Sequence, residues 1–126
     1  MQSPQLQIYN AVFMKSLGLN YPTYDYLPPS SASLPFVYVG EQFDQDRQTK
    51  DVIFGDVQQT VHVYGSYKQR RQVTDMMNSL KAEIRTINKT SNFYVTVKGI
   101  STQTMIDDST SETLLHGIIE VDFTFN

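Results

Sequence analysis

A two-residue period is the strongest constraint that this chain places on its own fold. Between Asp56 and Gly65, Val57, Gln59, Val61 and Val63 fall on one side of an extended backbone. Gln58, Thr60, His62 and Tyr64 fall on the other. The C-terminal stretch GIIEVDFTF repeats the pattern, with Ile119, Val121, Phe123 and Phe125 on the apolar side and Glu120, Asp122 and Thr124 opposite. Strands of this kind belong to an antiparallel sheet with one covered face. The stretch SLPFVYVGE, Ser33 to Glu41, differs because both of its alternating sets are apolar. Leu34, Phe36 and Tyr38 point one way, and Val37 and Val39 the other. Such a strand is covered on both faces, or its outer face meets a partner.

Two segments change to helical spacing. Ser3-Pro4 has the form of a helix start, a capping hydroxyl followed by proline at the first helical position. Leu6, Tyr9, Val12, Phe13 and Leu17 follow at intervals of three and four, and Gly18 is placed to end the helix. The spacing predicts a helix over Pro4–Leu17. A second stripe, Val73, Met76, Met77, Leu80, Ile84 and Ile87, predicts a helix over Lys68–Ile87 that packs across the sheet. Between Asn20 and Ser33 lie Pro22, Pro28 and Pro29, which favour a short edge strand at Thr23–Tyr26 and then a surface loop. FDQDRQTKD reads as a charged turn joining two strands into a long hairpin. Two further strands, Asn92–Met105 and Thr113–Phe125, flank the turn IDDSTSE. The predicted order is α, short β, ββ, α, ββ. This is an α+β domain, a mainly antiparallel sheet of about four to five strands packed against two amphipathic helices.

Length and composition limit what such a domain does. The 126 residues suit a single domain, residues 1–126, with one core. A chain of this size buries roughly two-thirds of its unfolded surface, so no disulfide or metal is needed for stability. There is no cysteine, which excludes thiolate zinc sites and thiol catalysis. The formal net charge of −3 argues against nucleic acid as the main ligand. No basic segment followed by an apolar run opens the chain, and no run of about 18 apolar residues occurs, so neither a signal peptide nor a membrane span is expected.

Catalytic constellations are sparse. His62 and His116 stand inside strand patterns, without HxH or HxxxH spacing. A cluster of His62, Glu120 and Asp122 is conceivable, beside the plainer reading of a solvated strand face. Asp107-Asp108 could form an acid/base or metal pair, but a turn rich in Ser and Thr favours local backbone bonding. No phosphate loop, GxSxG elbow or EF-hand pattern occurs, and no cofactor is expected. Lys68, Arg70 and Arg71 open the second helix, where cations oppose the helix dipole, which hints at an outside use such as an acidic partner or passing DNA. The remaining signal is aromatic: Tyr21, Tyr24, Tyr26, Phe36, Tyr38, Phe43, Phe54, Tyr64 and Tyr67 exceed what one small core needs, and aromatics are enriched at interfaces.

The order of these motifs resembles the tail-completion family of long-tailed, siphovirus-type bacteriophages, also called tail terminator or head-to-tail joining proteins. The residues that carry the resemblance are Tyr24-Asp25-Tyr26-Leu27-Pro28, Leu34 to Glu41, and Val61-His62-Val63-Tyr64. It spans nearly the whole chain in order and is most specific between Thr23 and Tyr67. The resemblance implies a non-enzymatic virion protein that assembles as a hexameric ring, caps the finished tail tube and joins it to the capsid neck. Its implied partners are further copies of itself, the tail tube protein and a neck or head-completion protein. DNA would pass through the ring without sequence-specific binding, and an acidic wall suits that passage. The implied place is the tail–neck junction of the virion, after synthesis in a bacterial cytoplasm. A tail-tube or other neck protein of related fold is the alternative, and a small-ligand-binding α+β domain a more distant one. Ring closure is heterologous, so edge strands and the turns Gln42–Ile53 and Ile106–Thr113 are expected to supply contacts. The candidate interface residues are Phe43, Asp44, Asp46, Arg47, Lys50, Asp107, Asp108, Lys68, Arg70 and Arg71.

Overall fold

The computed structural model describes residues 2–48 and 53–126. Helix α1 (Pro4–Gly18) is followed by β1 (Thr23–Tyr24), β2 (Phe36–Gln48) and β3 (Ile53–Ser66). Helix α2 (Arg70–Ile84), β4 (Val95–Asp107) and β5 (Leu114–Phe125) complete the chain. The five strands form one sheet in the order β1-β2-β3-β5-β4. β1 runs parallel to β2, and every other neighbouring pair is antiparallel. The α+β architecture read from the sequence is the observed one.

Both helices lie on one face of the sheet. α2 packs on β3 and β5, and α1 on β1, β2 and α2. Val37, Val39, Val57, Val61, Val63, Ile119, Val121 and Phe123 from the strands meet Ile8, Val12, Val73, Leu80 and Ile84 from the helices. All six stripe residues of α2, Val73 to Ile87, are buried as the spacing predicts. The helix itself is shorter than expected, starting at Arg70 and ending at Ile84, with Ile87 held by a backbone hydrogen bond to Ile84.

α1 departs from the sequence expectation. Ser3 does cap it, its hydroxyl accepting from the Leu6 amide at 3.2 Å, with Pro4 next. Yet the buried positions are Gln7, Ile8, Val12 and Ser16, while Leu6 and Leu17 face solvent. The chain carries two overlapping apolar stripes, and polar contacts choose between them. Gln7 donates to the Gln2 carbonyl and to Asn92, and accepts from Thr90 and from the Asn92 amide. Ser16 bonds Thr23 at 2.7 Å. A buried side chain with all its polar atoms satisfied costs little. The helix end differs too. Asn20, at φ 64°, supplies the left-handed residue, so Gly18 is not the cap.

The charged turn is mostly strand. β2 runs unbroken through Gln48 and β3 resumes at Ile53, paired from Phe43↔Gln58 to Gln48↔Ile53. The polar side chains along it are matched: Gln5 donates to Asp44 and Asp46, and Arg47 bridges Asp56 at 3.1 Å. The other edges shift less. β1 stops at Tyr24, and β4 lies about two residues later than predicted, over Val95–Asp107.

Candidate assembly surface

The face of the sheet opposite the helices carries most of the unabsorbed sequence signal. Its side chains form a stacked column. Tyr24 meets Phe36 edge-on, and Phe36 stacks on Tyr64 at 5.3 Å between ring centroids. Tyr64 stacks on His116 at 4.2 Å, His116 on His62 at 4.9 Å, and His62 on Tyr38 at 5.3 Å. The strand register produces this order by setting Phe36 opposite Tyr64, Tyr38 opposite His62, and Tyr64 opposite His116. The apolar outer set of SLPFVYVGE is therefore covered: Phe36 is buried by neighbouring rings and Tyr38 is half-buried.

His62, Glu120 and Asp122 do not converge, although they share this face. His62 is buried and fully engaged elsewhere. Its Nε2 lies 2.5 Å from Glu41 Oε1 and its Nδ1 lies 2.7 Å from His116 Nε2. Glu41 is an acceptor, so Nε2 of His62 donates to it, and a neutral His62 then accepts from His116 at Nδ1. Asp122 instead accepts from Gln58 at 3.0 Å. The solvated-face reading holds for Glu120 and Asp122, which are exposed, and fails for His62, which rings rather than water surround. Glu41 reaches His62 because β2 bulges between Val39 and Gln42. At Gly40, a methyl group would stand 3.0 Å from the His62 ring, so a larger residue there would push the ring by a few tenths of an ångström.

The environment shifts both ends of the relay. Burial, and then the neighbouring His62, hold His116 below its ordinary value of 6.5. Burial is the largest influence on the Glu41 carboxyl and raises it, but the hydrogen bond from His62, a backbone hydrogen bond and the two nearby imidazoles together outweigh it, and Glu41 titrates below 4.5. Both shifts are downward, so the folded protein binds fewer protons than the unfolded chain. The stability they contribute is complete above 6.5 and is lost as pH falls, first through His116 and below 4.5 also through Glu41. Urea midpoints measured from about pH 8 to about pH 4 are expected to fall, and His116→Gln should flatten the upper part of that fall. An unchanged profile in the variant would remove His116 as its source.

The candidate interface residues divide between the two ends of the sheet. At the hairpin end, Phe43 is 69% exposed on the free face, while Asp44 and Asp46 turn to the helix side and bind Gln5. Arg47 is held by Asp56, and Lys50 lies outside the described residues. At the other end, Asp107 accepts from the Ser109 amide at 2.8 Å and Asp108 from Thr113 at 3.2 Å. That is the local turn bonding expected for them. Lys68, Arg70 and Arg71 are exposed at the approach to α2. The register places these two groups at one end, because Ser66 and Asp107 both pair with Leu114.

Of the nine aromatics read as interface-prone, Tyr26, Phe43 and Tyr67 are exposed, Phe36 is buried, and the rest are half-buried. Glu41 and Tyr94 were not singled out by the sequence; Tyr94 is exposed beside the β4 start, and no pattern in the chain marks it. The sheet also leaves hydrogen-bonding edges open. β1 covers β2 only at Val37 and Tyr38, and β4 has no outer neighbour among the described residues.

No protein-family model matches the chain, and no curated protein does. Among solved structures, it is similar to a chain from the virion of a native gene transfer agent particle, with a TM-score of 0.65 and 9% sequence identity. That likeness, which covers 98% of this chain and 96% of the other, is one of fold.

Proposed function

We propose that this chain is a structural protein of a phage-like virion and, within it, the tail terminator. In this reading it forms a hexameric ring that caps the tail tube, joins it to the neck protein and lets DNA pass without sequence-specific contact. It acts as a structural part and not as an enzyme, at the tail–neck junction. The observation that carries the virion reading is the fold shared end to end with a chain of a virion particle. The motif order from Thr23 to Tyr67 supports the finer assignment. So do the two open edges, which lie on opposite sides of the sheet: a patch on one copy meets a different patch on the next, as a closed ring requires.

A tail-tube or other neck protein of related fold is the second reading. The ordered hairpin favours it, with strands of 13 and 14 residues paired out to Gln48 and Ile53. A ligand-binding domain has less support, since the two histidines are already committed to each other and to Glu41. Light scattering at several concentrations, with electron micrographs of the same sample, tests the assignment. A single six-fold ring seated on one end of added, purified tail tubes is the expected result, whatever the mass of the free protein. Growth into long stacks would identify a tube protein instead. Persistent monomers that do not bind tubes would overturn both readings.

Arg47→Glu tests the hairpin contact. The Arg47–Asp56 bridge is exposed, so its loss should cost under about 1 kcal/mol of stability. Ring formation is nevertheless expected to weaken, and normal rings in this variant would remove the hairpin from the interface.

A further inference from the structure

The two groups at the loop end of the sheet are complementary. On the free face, a groove of about 350 Å³ runs between the loop after β1 and the β4–β5 turn. Phe36, Tyr64 and Leu114 line it, Leu27 borders it, and Asp107 and Glu112 stand along its polar side. At the same end, Tyr67 is 60% exposed and is followed by the exposed cations Lys68, Arg70 and Arg71. Among the described residues, none of these three cations and neither of these two carboxylates is in an ion pair. The Lys68 ammonium rests 5.6 Å from the centre of the Tyr67 ring, which gathers aromatic and charge into one unit.

We propose that this groove receives the Tyr67–Arg71 segment of a second copy, and that the exchange is reciprocal. A tyrosine has an apolar body for the groove floor and a polar tip for its rim. Guanidinium groups match carboxylates in both charge and geometry. Arg70 and Arg71 cannot serve their own groove by simple proximity, because they open α2, which packs on the opposite face of the sheet. Gly65 faces Val73 on the helix side, whereas Tyr64 belongs to the aromatic column. A two-fold axis in the plane of the sheet and across the strands reverses both strand direction and face. It sets each groove over the other copy's segment, an isologous contact. The two copies would then meet end to end, covering an apolar end of the molecule while the protein is free. This pairing does not depend on the ring reading.

The test is native mass by sedimentation of the full chain, with two charge-reversed variants. Arg70→Glu/Arg71→Glu changes exposed side chains only. Asp107→Lys/Glu112→Lys also removes a turn hydrogen bond, so circular dichroism and melting are recorded for both. Wild type is expected to dimerise, with at least a tenfold weaker association in high salt, since ion pairs at a surface are screened. Each variant alone should be monomeric, and an equimolar mixture should restore the dimer, because both contacts in the mixed pair are again of opposite charge. A wild-type protein that stays monomeric into the millimolar range overturns the pairing. So does a folded variant that dimerises as well as wild type. Rings that form in wild type and in both variants alike, with no charge-dependent dimer in wild type, overturn the pairing and leave the ring reading standing. Charge-dependent dimers without rings, even on tail tubes, sustain the pairing and overturn the ring.

Discussion

Gln59→Leu is expected to lower the free energy of unfolding by about 2–5 kcal/mol, although it adds apolar surface to the core. Gln59 is 0% exposed and sits in the middle of β3, facing the helices. Its amide donates to the carbonyls of Gly40 at 3.1 Å, Glu41 at 3.2 Å and Thr60 at 3.0 Å, while its carbonyl accepts from Gln42 at 3.0 Å. The bulge in β2 interrupts the ladder between Val39 and Gln42, and Gln59 replaces the missing strand-to-strand bonds. Leucine has similar bulk but leaves the bulge carbonyls and the Gln42 amide without that partner, each at about 1–3 kcal/mol. Urea unfolding measures the loss directly. The bulge also directs Glu41 to His62, so the variant should lose part of the acid sensitivity assigned to the relay. A variant as stable as wild type would mean that water satisfies the bulge.

Leu80→Ala should cost about 2–5 kcal/mol, whereas Leu17→Ala should change stability by less than about 0.5 kcal/mol. Leu80 is 0% exposed at the centre of α2, in the core shared with β3 and β5. Leu17 is 42% exposed on the outer side of α1. Thermal melts of the two variants separate the sites. If Leu17→Ala proves costly only in assembled protein, the outer side of α1 belongs to an interface.

These two leucines show where sequence reading succeeded and where it stopped. Both stood in an apolar stripe at helical spacing. In α2 the stripe is single, so its face was fixed: the spacing of Val73, Met76, Met77, Leu80 and Ile84 allows one buried side. In α1 two stripes overlap, and the choice fell to Gln7 and Ser16, whose partners lie up to 85 residues away. No local pattern encodes those partners.

The candidate surface divides in the same way. The aromatic excess and the turn roles of Asp107 and Asp108 were legible, because aromatics and Asp-Ser-Thr turns act through local chemistry. The union of Glu41, His62 and His116 was not, nor was the meeting of Tyr67–Arg71 with the β4–β5 turn at one end. Both depend on register and on one bulge, which are set by pairing between distant strands.

By itself, then, the sequence determined the class of fold, the period and facing of β3 and β5, and the buried side of α2, because each follows from hydrophobic spacing within one segment. The tertiary structure decided the face of α1, the continuation of charged residues into β2 and the company of the histidines. Those outcomes rest on polar groups that are stable in place only when partners far along the chain satisfy them.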